Sequence, residues 1–357
     1  MKQLVKTICM ALMVTVLIIV IGLVGIMSIN QKRQDRDLEE RIELAQAEWE
    51  ALSEAEERKQ EEETARMKEC ERIVLVKELP VYSGRDITEN FDTVPVAMLH
   101  QKDIIWILEE EGQYALISTE NGKITGYVWK DCIGKKEDYA QIPSYVVVID
   151  AGHQEKADLR QEPVGPGAEE TKDRVKSGAT GTSTSIPEYK LTLNIALALE
   201  EELLRRGDYI VIQVRRQNDI NISNAERAWI ANQIHADAML RIHANGSDNP
   251  SVSGADTYCV TNYNAYSAGA TYEESKRLAE NILEAYTDAV NIRKNYVNQS
   301  DAYTGLNWCE IPSVILEMGY LSNPEDDVYL NDSENWKCIA GGIADGLDDY
   351  FQEQYRE

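Results

Sequence analysis

His153 closes the stretch Tyr145-Val-Val-Val-Ile-Asp-Ala-Gly-His153, in which a β-branched run after Pro143 ends in an Asp-Ala-Gly turn. That pattern predicts a buried strand with a histidine just past its end. In open α/β sheets, sites form outside the carboxyl ends of the strands, and Gly152 lets the backbone turn sharply or approach a ligand closely. His243 ends a second apolar run, Ala238-Met-Leu-Arg-Ile-His243, and Glu317 ends a third, Ser313-Val-Ile-Leu-Glu317. Glu188 opens an apolar-periodic helix. Two imidazoles and a carboxylate are a frequent Zn2+ set, and a fourth position left to water makes such a site catalytic. Water on zinc has its pKa lowered to about 7, and Glu317 is a candidate base for its proton. Each residue also has a structural reading. His153 fits as a turn histidine, His243 as a buried hydrogen-bonded one, and Glu188 is favoured by the helix dipole without any metal. Glu317 is harder to explain that way, since a buried carboxylate needs a partner. His235 falls at a predicted helix end, where the dipole accounts for it, and His100 is given no role.

Holding these four side chains together takes alternating strands and helices. A polar, glycine-containing loop from Gln154 to Ile186 follows the first strand, long enough to be a functional or mobile insert. From Glu188 to Arg206, Leu191, Ile195, Leu199 and Leu203 recur at i+4. Pro187 suits the first turn of that helix and Gly207 its C-terminal stop. Tyr209-Ile-Val-Ile-Gln-Val214 reads as a strand. Ser223 with Glu226 forms a capping box, opening a helix that runs to about His235. Ala255–Val260 is a further strand, Tyr272–Val290 a helix, and Asn335–Phe351 a closing helix. The fold class is α/β, with a central twisted sheet flanked by helices over residues 144–354. If neighbouring strands are parallel, their carboxyl ends converge.

This half of the chain resembles the zinc-dependent N-acetylmuramoyl-L-alanine amidases of the Amidase_3 type, from about Tyr145 to Tyr350. Val148-Ile-Asp-Ala-Gly-His153 is similar to the family's VIDPGHGG, and Pro187-Glu-Tyr-Lys-Leu-Thr-Leu-Asn194 to its KEKDxNL helix start. Glu226-Arg-Ala-Trp-Ile-Ala-Asn232 with Ala236-Asp237 resembles ERxxxANxxxAD. Arg241-Ile-His-Ala-Asn245 resembles SIHAN, and Leu316-Glu-Met-Gly-Tyr-Leu-Ser-Asn-Pro324 resembles VEVGFLSNP. The resemblance implies His153, Glu188 and His243 as zinc ligands and Glu317 as the catalytic carboxylate. It implies peptidoglycan as substrate, cut between N-acetylmuramic acid and L-alanine. Three departures stand out: Ala151 replaces a Pro, Gln154-Glu155 a Gly-Gly, and Arg241 a Ser. They bear on the loop after His153 and on the surface near the groove. Asn245 is left open between orienting a ligand and meeting substrate.

The rest of the chain bounds the setting. A net charge of −26 argues against nucleic acid as a partner, and against docking on anionic lipid or polymer by charge alone. Six cysteines without a CxxC make neither a disulfide framework nor a thiolate metal site. Thr7–Ile29 is uncharged and apolar, roughly 34 Å as a helix and enough to cross a ~30 Å hydrocarbon layer. Residues 1–30 are therefore expected to form an uncleaved transmembrane signal anchor. Residues 31–72 are expected to be a charged helical stalk. Leu38, Ile42, Ala45, Trp49 and Leu52 give it about two heptads, a basis for weak self-association short of a full coiled coil. Residues 73–137 carry short strand-like runs separated by turns, as in a small barrel. Tyr82-Ser-Gly84, Gly112-Gln-Tyr-Ala-Leu-Ile117 and Gly126-Tyr-Val-Trp-Lys-Asp-Cys-Ile133 resemble the bacterial SH3-like domain, which implies wall-peptide binding; a spacer barrel without ligand is the alternative. The basic residues after the apolar run leave the positive-inside count undecided. The domain order favours a single-pass cell-membrane protein with its catalytic domain outside, facing the wall. Two rival functions remain at this stage: a zinc carboxypeptidase cutting the stem peptide, and a non-catalytic wall-binding protein.

Overall fold

The computed structural model describes residues 7–8, 10–18, 31–85, 93–120, 122–139, 141–266 and 271–353. It has two units, Met1–Glu69 and Cys70–Glu357. In the first, residues 10–18 are helical. Among the described residues no helix is long and apolar enough to cross a membrane. Residues 19–29 of the expected anchor lie outside those described. Helix α1 runs over Gln31–Cys70, unbroken because the segment contains neither Gly nor Pro and is rich in Glu, Ala, Gln and Arg. Trp49 and Leu52 of the expected heptad seam are solvent-exposed.

The second unit opens with seven short strands: β1 (Glu71–Val74), β2 (Glu78–Val81), β3 (Ala97–His100), β4 (Ile104–Glu111), β5 (Tyr114–Thr119), β6 (Thr125–Trp129) and β7 (Ile133–Gly134). Five form an antiparallel sheet in the order β6-β5-β4-β1-β7, and β2 pairs with β3. The α/β part follows: β8 (Tyr145–Ala151), β9 (Asp158–Pro163), β10 (Thr171–Val175), α2 (Glu188–Arg206), β11 (Tyr209–Gln213), α3 (Asn224–Gln233), β12 (Ala238–Asn245), β13 (Ala255–Cys259), α4 (Tyr272–Val290), β14 (Lys294–Gln299), α5 (Thr304–Asn307), β15 (Ser313–Tyr320), α6 (Pro324–Asn331) and α7 (Trp336–Glu353). Its six-stranded sheet has the order β11-β8-β12-β15-β13-β14. The first four strands are mutually parallel, and β13 runs antiparallel to β15.

Strand periodicity decides which residues go to which face. Val147, Ile149, Leu240, Ile242 and Leu316 pack with apolar residues of α2, α4 and α7. Val146, Val148, Ile210, Ile212 and Met239 point the other way, into a core shared with Trp229 and Ile230 of α3 and with Tyr82, Val128 and Trp129 of the β unit. Both faces are thus covered, which is why the central strands read as continuous apolar runs. The expected boundary near residue 140 has a continuous core across it. Tyr82, Trp129 and Trp229 lie 5.8–6.0 Å apart, ring to ring. Tyr82 Oη donates to Gln233 Oε1 at 2.9 Å.

The structure differs from the sequence reading in three places. The expected loop over 154–186 contains the antiparallel hairpin β9–β10. Its strands are charged rather than β-branched, and they are held by pairs such as Arg174 with Asp158 (3.3 Å) and Gln161 with Asp173 (2.7 Å). Strand β15 continues past Glu317 to Tyr320, and β12 past His243 to Asn245, so these residues lie within strands, near their ends. Strand β14 and helix α5 had no sequence signal. β14 is polar because it is a sheet edge, where charged residues are tolerated and useful.

Candidate metal centre and its groove

Three parallel strands bring the site residues to one edge of the sheet. Ala151, the last residue of β8, lies opposite Ile242 of β12, and Gly152 N donates to Ile242 O at 2.9 Å. His153 therefore emerges beside His243. On the other side of β12, His243 is the register partner of Glu317 on β15. Glu188 is the first residue of α2, so its carboxylate meets the positive end of that helix. Gly152 permits the approach: a Cβ there would overlap the His243 ring. Gly178, with φ +81°, likewise leaves no room for a Cβ between itself and Glu188 and His153.

The three side chains meet at one carboxylate oxygen. Glu188 Oε1 is 3.2 Å from His153 Nε2 and 3.1 Å from His243 Nδ1. Backbone amides fix the same carboxylate: Ala244 N donates to Oε1 at 3.0 Å and Ala179 N to Oε2 at 2.8 Å. On the far side of the first ring, His153 Nδ1 lies 2.8 Å from Lys176 O. A carbonyl accepts only, so Nδ1 carries the proton and the Nε2 lone pair faces Glu188 and His243. His243 Nε2 is buried without a hydrogen-bond partner. Burial pulls the His243 imidazole down to about 4, against the Glu188 carboxylate, which favours its charged form. Burial would raise the Glu188 carboxyl, but the two neighbouring imidazoles hold it well below the usual range. A neutral His243 imidazole beside an ionised Glu188 carboxylate is the pair of protonation states that a divalent cation requires. Among the described residues this is the one cluster of three or more such side chains able to hold a metal. His235 instead stands 3.5 Å from Glu78.

Glu317 faces the same space. Its Oε2 is buried with no partner. Burial, then the negative charges of Glu188 and Asp256, push its carboxyl well above the ordinary range. His153, His243 and Glu317 line both arms of an open groove, of about 580 and 550 Å³.

Beneath the site lies a cluster that sequence reasoning missed. His153 has φ +62°, the left-handed region that non-glycine residues rarely occupy. Two buried arginines clamp that turn by its carbonyls. Arg215 donates to Ala151 O at 2.8 Å and Gly152 O at 3.0 Å. Arg227 donates to Ala151 O and to His153 O, both at 2.9 Å. Asp150, fully buried, takes Arg227 at 2.6 Å and Arg241 at 2.7 Å. Burial would raise the Asp150 carboxyl, but these two charges keep it far below its usual range. Among the described residues no carboxylate pairs with Arg215; burial and the Arg227 charge bring its guanidinium down to about 9. Gln154, one of the departures noted above, is buried too and accepts from Ile222 N at 3.0 Å. Arg227 had a signal in the Glu-Arg motif, and Arg215 had none.

Fold and site together define an α/β domain with a His–Glu–His centre at the carboxyl edge of its sheet. Residues 147–349 match the Amidase_3 family, N-acetylmuramoyl-L-alanine amidase, and the chain belongs to that family. Its activity is that of a peptidoglycan amidase. The chain is 29% identical over 224 residues to the N-acetylmuramoyl-L-alanine amidase Rv3717 of Mycobacterium tuberculosis, covering 60% of this chain and 90% of that one. It is 31% identical over 176 residues to the amidase LytC of Bacillus subtilis, covering 49% of this chain and 33% of that one. In fold it is similar to the apo crystal structure of the amidase Ami1 of Mycobacterium abscessus, with a TM-score of 0.53 at 24% identity, over 59% of this chain and all (100%) of that one.

Proposed function

We propose that the amide between N-acetylmuramic acid and L-alanine is cut with a zinc ion held by His153, Glu188 and His243. The observation that carries this reading is the approach of two imidazole nitrogens to within 3.2 Å of one carboxylate oxygen, one nitrogen freed for it by Lys176 O. Zinc supplies Lewis acidity there, polarising a carbonyl and making water a nucleophile near neutral pH. Glu317 takes the proton of the attacking water and hands it to the departing L-alanine nitrogen, so that the leaving group departs as an amine. The Oε2 of Glu317 suits that role, because among the described residues no group is hydrogen-bonded to it. Backbone amides and helix α2 keep Glu188 in place throughout.

Removal of metal by a chelator, followed by readdition of Zn2+, tests the reading on purified peptidoglycan. Turnover is expected to vanish and return, with a free lactyl carboxyl and a new L-alanine amine as products. Full turnover after quantitative metal removal would refute the zinc role, and release of a terminal amino acid would instead mark a carboxypeptidase. The proposal extends to the setting. The apolar run over 7–29 anchors the chain in the cell membrane, the helical segment acts as stalk and site of weak self-association, and the catalytic domain faces the wall. The motifs in residues 73–137 support an SH3-like assignment. Protease accessibility of the C-terminal unit on intact cells tests the orientation.

A further inference from the structure

Glu188 is held from outside its own helix, and the hold leads back to α6. The loop over residues 179–188 closes at its neck: Glu188 N donates to Ala179 O at 2.9 Å, and Ala179 N to Glu188 Oε2 at 2.8 Å. One end of the loop is therefore the candidate ligand, and the other end grips its carboxylate. Inside the neck, Thr180 bridges to Pro187, Gly181 N donates to Ile186 O at 2.9 Å, and Ser185 N to Gly181 O at 3.0 Å. Ser185 has φ +59°, a left-handed conformation that a non-glycine residue keeps only where its surroundings impose it.

Asp327 of α6 imposes it. This carboxylate is fully buried. Its Oδ2 accepts from Ser183 N at 2.6 Å and Thr184 N at 2.8 Å, and its Oδ1 from Thr184 Oγ1 at 2.7 Å and Asn331 Nδ2 at 2.8 Å. Three of those four donors belong to the loop. Among the described residues no cation pairs with Asp327, so the donors themselves offset the cost of burying its charge. Gly181 makes room for the contact, since a Cβ there would overlap Asp327 Oδ1 and Thr184 Oγ1. The adjacent Asp326 holds a different segment: its Oδ2 accepts from Tyr320 N at 2.9 Å, at the end of the strand that carries Glu317, and from Gly254 N at 3.1 Å. Two neighbouring carboxylates of one helix thus fix the loop of Glu188 and the strand of Glu317 to a common support. We infer that Asp327 is a positioning residue for Glu188, setting the ligand carboxylate through the loop over residues 179–188. This rests on the zinc reading above and deepens it.

The test compares the full chain with Asp327→Asn, whose carboxamide keeps the volume but puts an N–H where the loop needs an acceptor. Zinc affinity, measured by competition with a chromophoric chelator, is expected to fall about 10–100-fold, as when a group that orients a ligand is lost. Hydrogen exchange of the Ala179 amide in the metal-free chain is expected to quicken about tenfold, because the neck opens locally. Trp229→Ala, which lowers stability far from this loop, is expected to leave both readouts within about twofold. Unchanged zinc affinity and Ala179 exchange in folded Asp327→Asn, or equal losses in Trp229→Ala, would overturn the positioning role. If Asp327→Asn does not fold, Thr184→Val removes one of the four bonds and decides by the same readouts, with a loss of about threefold expected and none overturning the role. If the unaltered chain takes up no zinc, the zinc reading falls, and the exchange of the Ala179 amide still decides the role of Asp327.

Discussion

The two sides of the central sheet's first strand are held by different kinds of contact. At the seam with the β unit, Trp229, Trp129 and Tyr82 pack with Val146, Val148 and Ile212 in one apolar core. At the carboxyl edge, Asp150, Arg215, Arg227 and Arg241 are almost wholly buried, each fixed by directional bonds. Apolar packing is non-directional, and its loss is graded by the surface removed. A buried ionic network is closer to all-or-none, because removal of one member strands the charges of the others. The seam confers stability, and the charged cluster confers geometry, including the left-handed turn of His153.

Substitutions on either side sharpen that contrast. Arg227→Met is expected to have the largest effect. It removes one of two cations from Asp150, takes the Arg227 bond from His153 O and leaves Ala151 O with Arg215, costing on the order of 5 kcal/mol. Denaturant titration together with zinc content reads it, and a well-folded variant with full zinc would contradict the clamp. Glu317→Gln comes next: a rate loss of about 10²–10⁴ with zinc content and melting temperature unchanged, measured by dye release from labelled walls and by calorimetry. Trp229→Ala belongs to the other side. It is expected to cost about 3 kcal/mol of stability while kcat per folded molecule stays within twofold or so of the original, so a large change in kcat with stability intact would blur the distinction drawn here. The smallest effect concerns pH. Burial pushes the Glu162 carboxyl from 4.5 up to about 7, with Ser223, Ala225 N and Arg174 opposing the rise and Glu226 adding to it. Between those values the folded state holds the extra proton, so stability present at pH 4.5 declines as pH rises through 7. Glu162→Gln should flatten that slope and gain on the order of 2 kcal/mol at pH 8. Urea midpoints at pH 5 and 8 are the check.

Much of this was legible in the residues. Strand ends and a helix start located His153, Glu188, His243 and Glu317, because apolar periodicity reports the sheet, and polar residues at its margins then stand out. The Ser223–Glu226 capping box was legible for the same local reason, and both reciprocal bonds are present. Hairpin β9–β10 was not, since Asp158-Leu-Arg-Gln-Glu-Pro163 has no β-branched run and is held by distant partners such as Glu226, 2.8 Å from Arg174. The buried arginines were hidden by their own chemistry. Charged residues usually mark solvated surface, and no local pattern announces that Arg215 and Arg241 turn inward.

The left-handed turn at His153 also bears on the order in which the protein can be completed. Its clamps come from far downstream: Arg215 is 64 residues beyond the Ala151 carbonyl that it binds, and Arg227 is 74 beyond that of His153. During synthesis the first candidate ligand is thus made long before the groups that set its backbone, and His243 arrives later still. A nascent chain that ends short of α3 holds no organised centre. Assembly of the three side chains then becomes a late event that reports a finished domain, and a partly made chain lacks the site.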